Sequence, residues 1–295
     1  YFLIARNDSL VSSTRHLFHL RPAYQFSPVE KLKLTAGLNV AVQNDQYPGS
    51  KSFHLYPHVQ AQYELGKNVE AYGVVTGDMD KVDLHSMSAE NLWINSNLPV
   101  LHTNRAIEFK AGLKGKFSRN VAFDAGLDVA TLKNYYYYLN LDASGSVPVL
   151  FNRFNVTYDA NTSRVNPYAE ISYSKTETFR LSLRGDYFTY TTESVLQPFH
   201  RPTYRGNINM RYNLYDKILI EAGLITQGGM KAFDSGLNTV TLDAAVDVNL
   251  KARYFISKEI SAFLQFDNIL SNNYPLYQSY PVRGFQVLGG ISWSF

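Results

Sequence analysis

Cysteine is absent from the 295 residues, which excludes a disulfide framework, a thiol nucleophile and a Cys-ligated zinc, although it identifies no compartment. No window approaches the roughly 18 consecutive apolar residues of a membrane-spanning helix, so helical membrane proteins are excluded. An excess of one charge is missing too: 28 Lys and Arg stand against 25 Asp and Glu, a net charge of +3, whereas a nucleic-acid binder carries a basic stripe. The first residues contain no cationic, apolar leader, which fits either mature numbering or a truncated start. Aromatics, by contrast, are plentiful, with 22 Tyr and 18 Phe, and the apolar residues are spread singly along the chain.

That spread has a period of two. Leu32, Leu34, Ala36, Leu38, Val40 and Val42 alternate with Lys33, Thr35, Gly37, Asn39, Ala41 and Gln43. The same alternation runs from His54 to Leu65, from Ile107 to Phe117 and, longest of all, from Leu242 to Tyr254. These segments read as strands with one apolar and one polar face. Short turns are expected near 28–30, 66–68, 118–120, 175–177, 215–217 and 257–259, and long connections at 44–53, 79–104, 132–163, 191–201, 229–238 and 271–283. Short turns alternating with long loops predict an all-β, transmembrane antiparallel β-barrel with periplasmic turns and extracellular loops. The turns define twelve strands, 284–295 adds a closing one and 1–7 an opening one, about fourteen in all; sixteen become possible if 1–7 is the remnant of a longer chain. The whole of 1–295 then forms a single barrel domain, with 149–158 either a hairpin arm within its loop or a further strand.

A soluble β-sandwich also has period two, so the membrane reading rests on the turns. An aromatic precedes each of them on the apolar parity: Phe26 with Tyr24, Tyr63, Phe117, Tyr173, Tyr212 and Tyr254, with Trp293 and the terminal Phe295 at the same level on the last strand. One ring of amphipathic side chains at one height is what a headgroup interface favours.

The end of the chain carries a resemblance. Phe-Leu-Gln-Phe-Asp-Asn-Ile-Leu at 263–270, then Asn273-Tyr274, Arg283-Gly284-Phe285 and a final Gly-Ile-Ser-Trp-Ser-Phe resemble the last two strands of TonB-dependent receptors, although Ile269 and Leu270 replace the usual pair and Arg283 precedes its glycine. More loosely, the chain, including Ser-Ala-Glu-Asn-Leu-Trp at 88–93, is similar to plugless barrels grouped with those receptors in Gram-negative bacteria. The resemblance implies an outer-membrane location, contact with outer-membrane lipid, and insertion by the barrel-assembly machinery, which reads the terminal Phe295. It departs from the family in having room for neither a plug domain nor 22 strands, and a fourteen-strand lumen is too narrow for a globular plug.

No enzymatic constellation emerges and no cofactor is called for. His54 and His58 share a lumen face but stand roughly 13 Å apart, too far to share a metal or a proton. Asp78, Asp80 and Asp83 lack the glycine and final Glu of a calcium loop, so no metal is assigned there. The polar faces carry both signs, with Lys114, Arg180, Arg184, Asp186, Arg205, Arg211, Asp243 and Asp247 as the lumen-facing candidates. Neither sign dominates, which suits cross-strand ion pairs or a polar path for a neutral solute more than an ion-selective ring. The loop aromatics Trp93, Tyr135 to Tyr138, Tyr274, Tyr277 and Tyr280 have three uses open to them: stacking on sugars, binding a protein, or packing over their own barrel. Two functions follow. One is passage or uptake of a small solute; the other is a non-conducting structural or accessory subunit that docks other outer-membrane proteins.

Overall fold

The computed structural model describes residues 2–6, 12–47, 49–95, 98–140, 153–234 and 236–294, with backbone alone for 2–6 and 12–14. The wall opens with β1 (Phe2–Arg6), β2 (Ser12–Leu20) and β3 (Ala23–Val29), followed by β4 (Leu32–Gln43), β5 (Phe53–Gly66) and β6 (Val69–Asp80). A short helix, α1 (Leu84–Glu90), separates β6 from β7 (Thr103–Lys116) and β8 (Val121–Lys133). A hairpin of β9 (Tyr135–Leu139) and β10 (Asn155–Asp159) stands in the loop before β11 (Thr162–Lys175), β12 (Phe179–Tyr187) and the short β13 (Thr189–Thr191). Next come β14 (Tyr204–Leu214) and β15 (Ile218–Gly228), then the loop pair β16 (Lys231–Phe233) and β17 (Thr239–Thr241). The chain ends with β18 (Ala245–Phe255), β19 (Ile260–Asp267), the loop pair β20 (Pro275–Tyr277) and β21 (Tyr280–Pro281), and β22 (Gln286–Trp293).

Among the described residues neighbours pair antiparallel in chain order in one 16-stranded sheet, with a path of fourteen strands β1-β2-β4-β5-β6-β7-β8-β11-β12-β14-β15-β18-β19-β22 and with β3 and β13 pairing β4 and β11 beside it. The expected up-and-down order holds, because each short turn allows only a hairpin. At one turn Tyr215 and Asp216 both have positive φ, 53° and 56°, which matches the right-handed twist of the strands they join. β2 and β3 are two pieces of one strand. Leu20 pairs with Val40 and Ala23 with Gly37 in a single register, and the break falls at Pro22, which has no N–H to give the ladder. β1 pairs only with 12–16, at the long-loop end. Among the described residues no ladder joins β22 to β1 or β3, and both β3 and β22 are exposed on their two faces: Val287 and Leu288, neighbours of opposite parity, are 54% and 56% exposed.

The predicted parity is observed: Leu38 is 46% exposed on the outer face and Asn39 7% exposed on the inner one. Leu55, Phe109, Leu113, Ile171, Leu183 and Leu264 extend the outer apolar belt. A continuous belt of this kind is far larger than the patches a soluble monomer shows water. The large side chains with no exposure lie elsewhere. Tyr137, Tyr138, Phe154, Phe199, Met87 and Met230 all belong to the long connections, so most of the hydrophobic core sits above the wall, while one further cluster of Leu17, Ala41, Tyr56 and Met79 is made by β2, β4, β5 and β6.

Two expectations need correction. The strand expected from Leu242 begins at Ala245, leaving Asp243 in exposed coil outside the strand. The connection 79–104 holds a helix that period-two reading could not show; Asp83 caps it by accepting from the Ser86 N–H while Ser86 accepts from the Asp83 N–H. Of the alternatives for 149–158, the loop hairpin is the one observed, over 155–159, while 149–152 and Phe295 lie outside the described residues.

Candidate functional site

The inner face holds two differently organised regions. On the side of β6, β7, β8, β11 and β12, charges are paired across strands. Lys114 meets Glu70 at 3.0 Å; Arg105 meets Asp80 at 3.0 Å and Glu108 at 2.8 Å; Arg164 meets Asp128 at 3.1 Å and Glu108 at 3.5 Å. Arg184 bridges Asp186 at 2.8 Å and Glu170 at 3.4 Å and lies over the Tyr168 ring. The Tyr72 hydroxyl donates to Asp124 at 2.7 Å and also touches the Tyr168 hydroxyl. These two rings fit because Gly112 and Gly126 lie beneath them: a Cβ at either would come within 2.5 to 2.9 Å of a tyrosine hydroxyl. On the side of β12, β14, β15 and β18 the pattern changes. Arg180 stands directly opposite Arg211, which stands opposite Glu221, which stands opposite Lys251. Arg180 turns to Glu177 in the adjoining turn, at 3.0 Å.

Above the wall the long connections meet. Arg201 donates to Glu90 at 2.6 Å and to the Tyr136 carbonyl at 2.9 Å, with its guanidinium over the rings of Tyr135 and Tyr136. The same Glu90 carboxylate accepts from the hydroxyls of Tyr136 and Tyr138, at 2.6 and 3.0 Å. The Tyr277 hydroxyl donates to the Glu90 carbonyl at 2.9 Å, and Trp93 stacks on Tyr280 at 4.0 Å. The loops after β6, β8, β12 and β19 are therefore tied at one point, although β6 and β19 lie in well-separated parts of the sheet. Of the uses open to the loop aromatics, packing over the barrel is the one seen. Asp159 anchors the cap, accepting from Thr162, from the Ser194 hydroxyl and from the N–H groups of Glu193, Ser194 and Val195. Burial would raise the pKa of Asp159, but these donors outweigh it and hold the carboxyl below its usual range.

Two histidines in this region are neutral. Nδ1–H of His200 donates to the Tyr138 carbonyl at 2.8 Å while Nε2 accepts from the Gln278 N–H at 3.4 Å; burial pushes its pKa down to about 4. His102, whose Nδ1 accepts from the Val82 N–H, is lowered by burial to about 4 as well. Both folded values lie below the ordinary 6.5. Their contribution is therefore complete above pH 6.5, falls away as pH drops from 6.5 to about 4, and is followed below about pH 4 by that of Asp159. We expect acid to loosen the cap before the wall. In a Trp293→Phe background the emission of Trp93 shifts to the red between pH 6.5 and 4 while far-UV circular dichroism of the sheet is unchanged; simultaneous loss of both signals would contradict this ordering.

No protein-family model matches the sequence, and no curated protein aligns with it. Solved structures do match. The siderophore receptor PirA from Acinetobacter baumannii superposes with a TM-score of 0.70 at 10% identity, over 99% of this chain and 47% of PirA. The pyoverdine receptor FpvA from Pseudomonas aeruginosa PAO1 gives 0.68 at 16% identity, over 96% and 42%. A variant of the ferric enterobactin receptor PfeA from P. aeruginosa gives 0.66 at 13%, over 96% and 45%. The fold is that of TonB-dependent outer-membrane receptors. The chain spans less than half the length of each of these receptors.

Within this receptor-like wall, the sequence-derived candidates separate. Lys114, Arg184 and Asp186 are members of ion pairs. Arg205 stands opposite Asp186, which Arg184 already engages. Asp247 accepts from the Tyr274 hydroxyl at 3.0 Å, linking the lumen to the last loop. Asp78, Asp80 and Asp83 are each engaged by Arg21, Arg105 and Lys81 respectively, and among the described residues no group could hold a metal. The aromatics near the turns interlock: Phe117 stacks on Phe123 at 4.4 Å, and Phe179 lies 5.9 Å from Tyr173 and 6.0 Å from Tyr212. Phe26, Tyr63, Tyr254 and Trp293 are exposed at the same end. Sequence reading missed Arg105, Arg164, Glu90 and Arg201; apart from the Arg105 contact with Glu108, their partners lie far away in the chain.

Proposed function

We propose that this chain is the wall of a receptor-type outer-membrane barrel that passes a small solute, its long-loop mouth held shut by the aromatic cap. One observation supports this most: the loops converge on Arg201 and Glu90, while the lumen below stays polar and keeps cavities of about 600 and 670 Å3 toward the short-turn end. A lumen serving only as packing would be filled. The similar structures are siderophore receptors, so a solute of that size is the first to try. In this reading the outer belt meets lipid, the aromatics beside the short turns meet the periplasmic headgroups, and the terminal strand is the signal for the barrel-assembly machinery. The test is conductance in a planar bilayer: brief openings in the native protein, and steady current once the cap contact is removed. Steady current from the native protein would show that the cap is no gate.

The unpaired edges favour a second reading, in which this chain joins strands of another polypeptide. Among the described residues β3 and β22 each pair on one side only and are exposed on both faces, and an edge of this kind pairs with a further strand. The absence of cysteine makes a clean assay possible. With one cysteine placed in β3 and one in β22, stepped along the two strands in successive variants, a self-closing barrel forms an intramolecular disulfide in the membrane at the register where the strands meet. A wall completed by other strands leaves both thiols free and cross-links them elsewhere.

A further inference from the structure

Ion pairing divides the lumen. Where β6 to β12 meet, the cations named above have carboxylate partners, which makes them part of the wall. At the short-turn end of β11 to β19 lies a cavity of about 600 Å3 where this fails. Among the described residues, neither Arg211 nor Lys251 takes part in an ion pair; Lys251 lies 5.2 Å from the Phe263 ring centroid instead. Arg180 and Arg211 are directly opposed in an antiparallel ladder, an arrangement that costs stability unless an anion lies between the charges. Two carboxylates share the cavity. Asp267 is held by Gln265, whose amide donates to both of its oxygens at 3.0 Å, and Arg180 is held by Glu177 at 3.0 Å, which leaves Glu221 as the remaining carboxylate for two cations, Arg211 and Lys251, that flank it in the ladder.

The remaining lining supplies neutral donors and space. Ser172, Ser182, Asn209 and Asn249 form the row above the cations, and Gly223 sits between the two asparagines. A Cβ built at Gly223 meets only the Asn209 side-chain oxygen, at 3.9 Å, so the glycine leaves a notch in the floor. A guanidinium presents parallel donors that match a carboxylate or phosphate, and an ammonium beside it adds charge without demanding a fixed geometry.

We propose that this cavity is an oxyanion site that takes a small phosphate- or carboxylate-bearing solute between Arg211 and Lys251. Its role as a way-station for a passing solute rests on the transport reading; binding itself does not, so the two fail separately. The test is isothermal titration of the full chain in detergent with citrate and inorganic phosphate at constant ionic strength, with glucose as the neutral control. One saturable site for the anions and none for glucose is expected. Arg211→Gln weakens citrate about tenfold or more, Gly223→Phe removes binding although every charge is retained, and Lys114→Gln, which alters a paired wall cation, leaves it unchanged. Heat-modifiable gel migration confirms that each variant is folded, and Arg211→Gln alone decides the question if the bulkier variant is not. Failure of both anions to bind the native chain, or equal loss in Lys114→Gln and Arg211→Gln, would overturn the site, whatever the conductance shows.

Discussion

Arg201→Ala should open the cap and leave the barrel standing. The guanidinium makes an ion pair with Glu90 at 2.6 Å and a second bond to the Tyr136 carbonyl, and it lies 4.8 and 4.9 Å from the ring centroids of Tyr135 and Tyr136. Its side chain is only 13% exposed, while that of Glu90 is 34% exposed. Breaking a fully buried pair costs roughly 3–5 kcal/mol, and the partial exposure of Glu90 reduces this to about 2–3 kcal/mol. The loss falls on the cap because the wall is held by its own ladders, whereas four loops share this one point. We therefore expect steady conductance and rapid proteolysis between 84 and 102, with heat-modifiable migration retained. Arg201→Lys should give an intermediate result, since a point charge replaces Glu90 contact but neither the carbonyl bond nor the stacking. Unchanged conductance and proteolysis in Arg201→Ala would exclude the cap as the closing element.

The contrast between wall and cap is also the contrast between what could and could not be read in the sequence. A strand declares itself through its neighbours: Leu38 and Asn39 differ in parity, and parity alone assigns the face. Hairpin order followed from connection length, since a short turn permits only antiparallel neighbours. The cap has no such local signature. Glu90 and Arg201 are separated by 111 positions, and Glu90 and Tyr277 by 187. The run Tyr135 to Tyr138 was visible as aromatic loop, but pairing with 155–159 buried Tyr137 and Tyr138 and left Tyr136 to reach Glu90. In the lumen, sequence counted charges correctly and misjudged their pairing. Arg205 and Arg211 had the composition of cross-strand ion pairs, yet among the described residues such pairs are made by Arg105 with Asp80, Lys114 with Glu70, Arg164 with Asp128 and Arg184 with Glu170. Which cation finds a carboxylate depends on register between strands, and a two-residue offset puts a charge opposite its like, as at Arg180 and Arg211.

Leu38→Arg should be the most damaging single change in the wall. Leu38 lies in the middle of β4, 46% exposed on the outer face and opposite Pro57. In a lipid bilayer this exposure is contact with acyl chains, and an arginine at midplane costs about 2–4 kcal/mol. The natural control, Asn39→Arg, is not the mild one that parity alone suggests: Asn39 is buried, and its amide donates to the Gly77 carbonyl at 2.8 Å and to the Thr76 hydroxyl at 3.2 Å. That change would both leave an acceptor unsatisfied and force a long side chain into a packed part of the lumen. Gln60, on the inner face of β5 and half-buried opposite Thr35, is the appropriate comparison. Urea titration in lipid vesicles, read by heat-modifiable migration, should place Leu38→Arg well below the native protein and Gln60→Arg within about 1 kcal/mol of it. Equal midpoints for the two would mean that the apolar parity does not face lipid, and with it the membrane reading of the fold would fail.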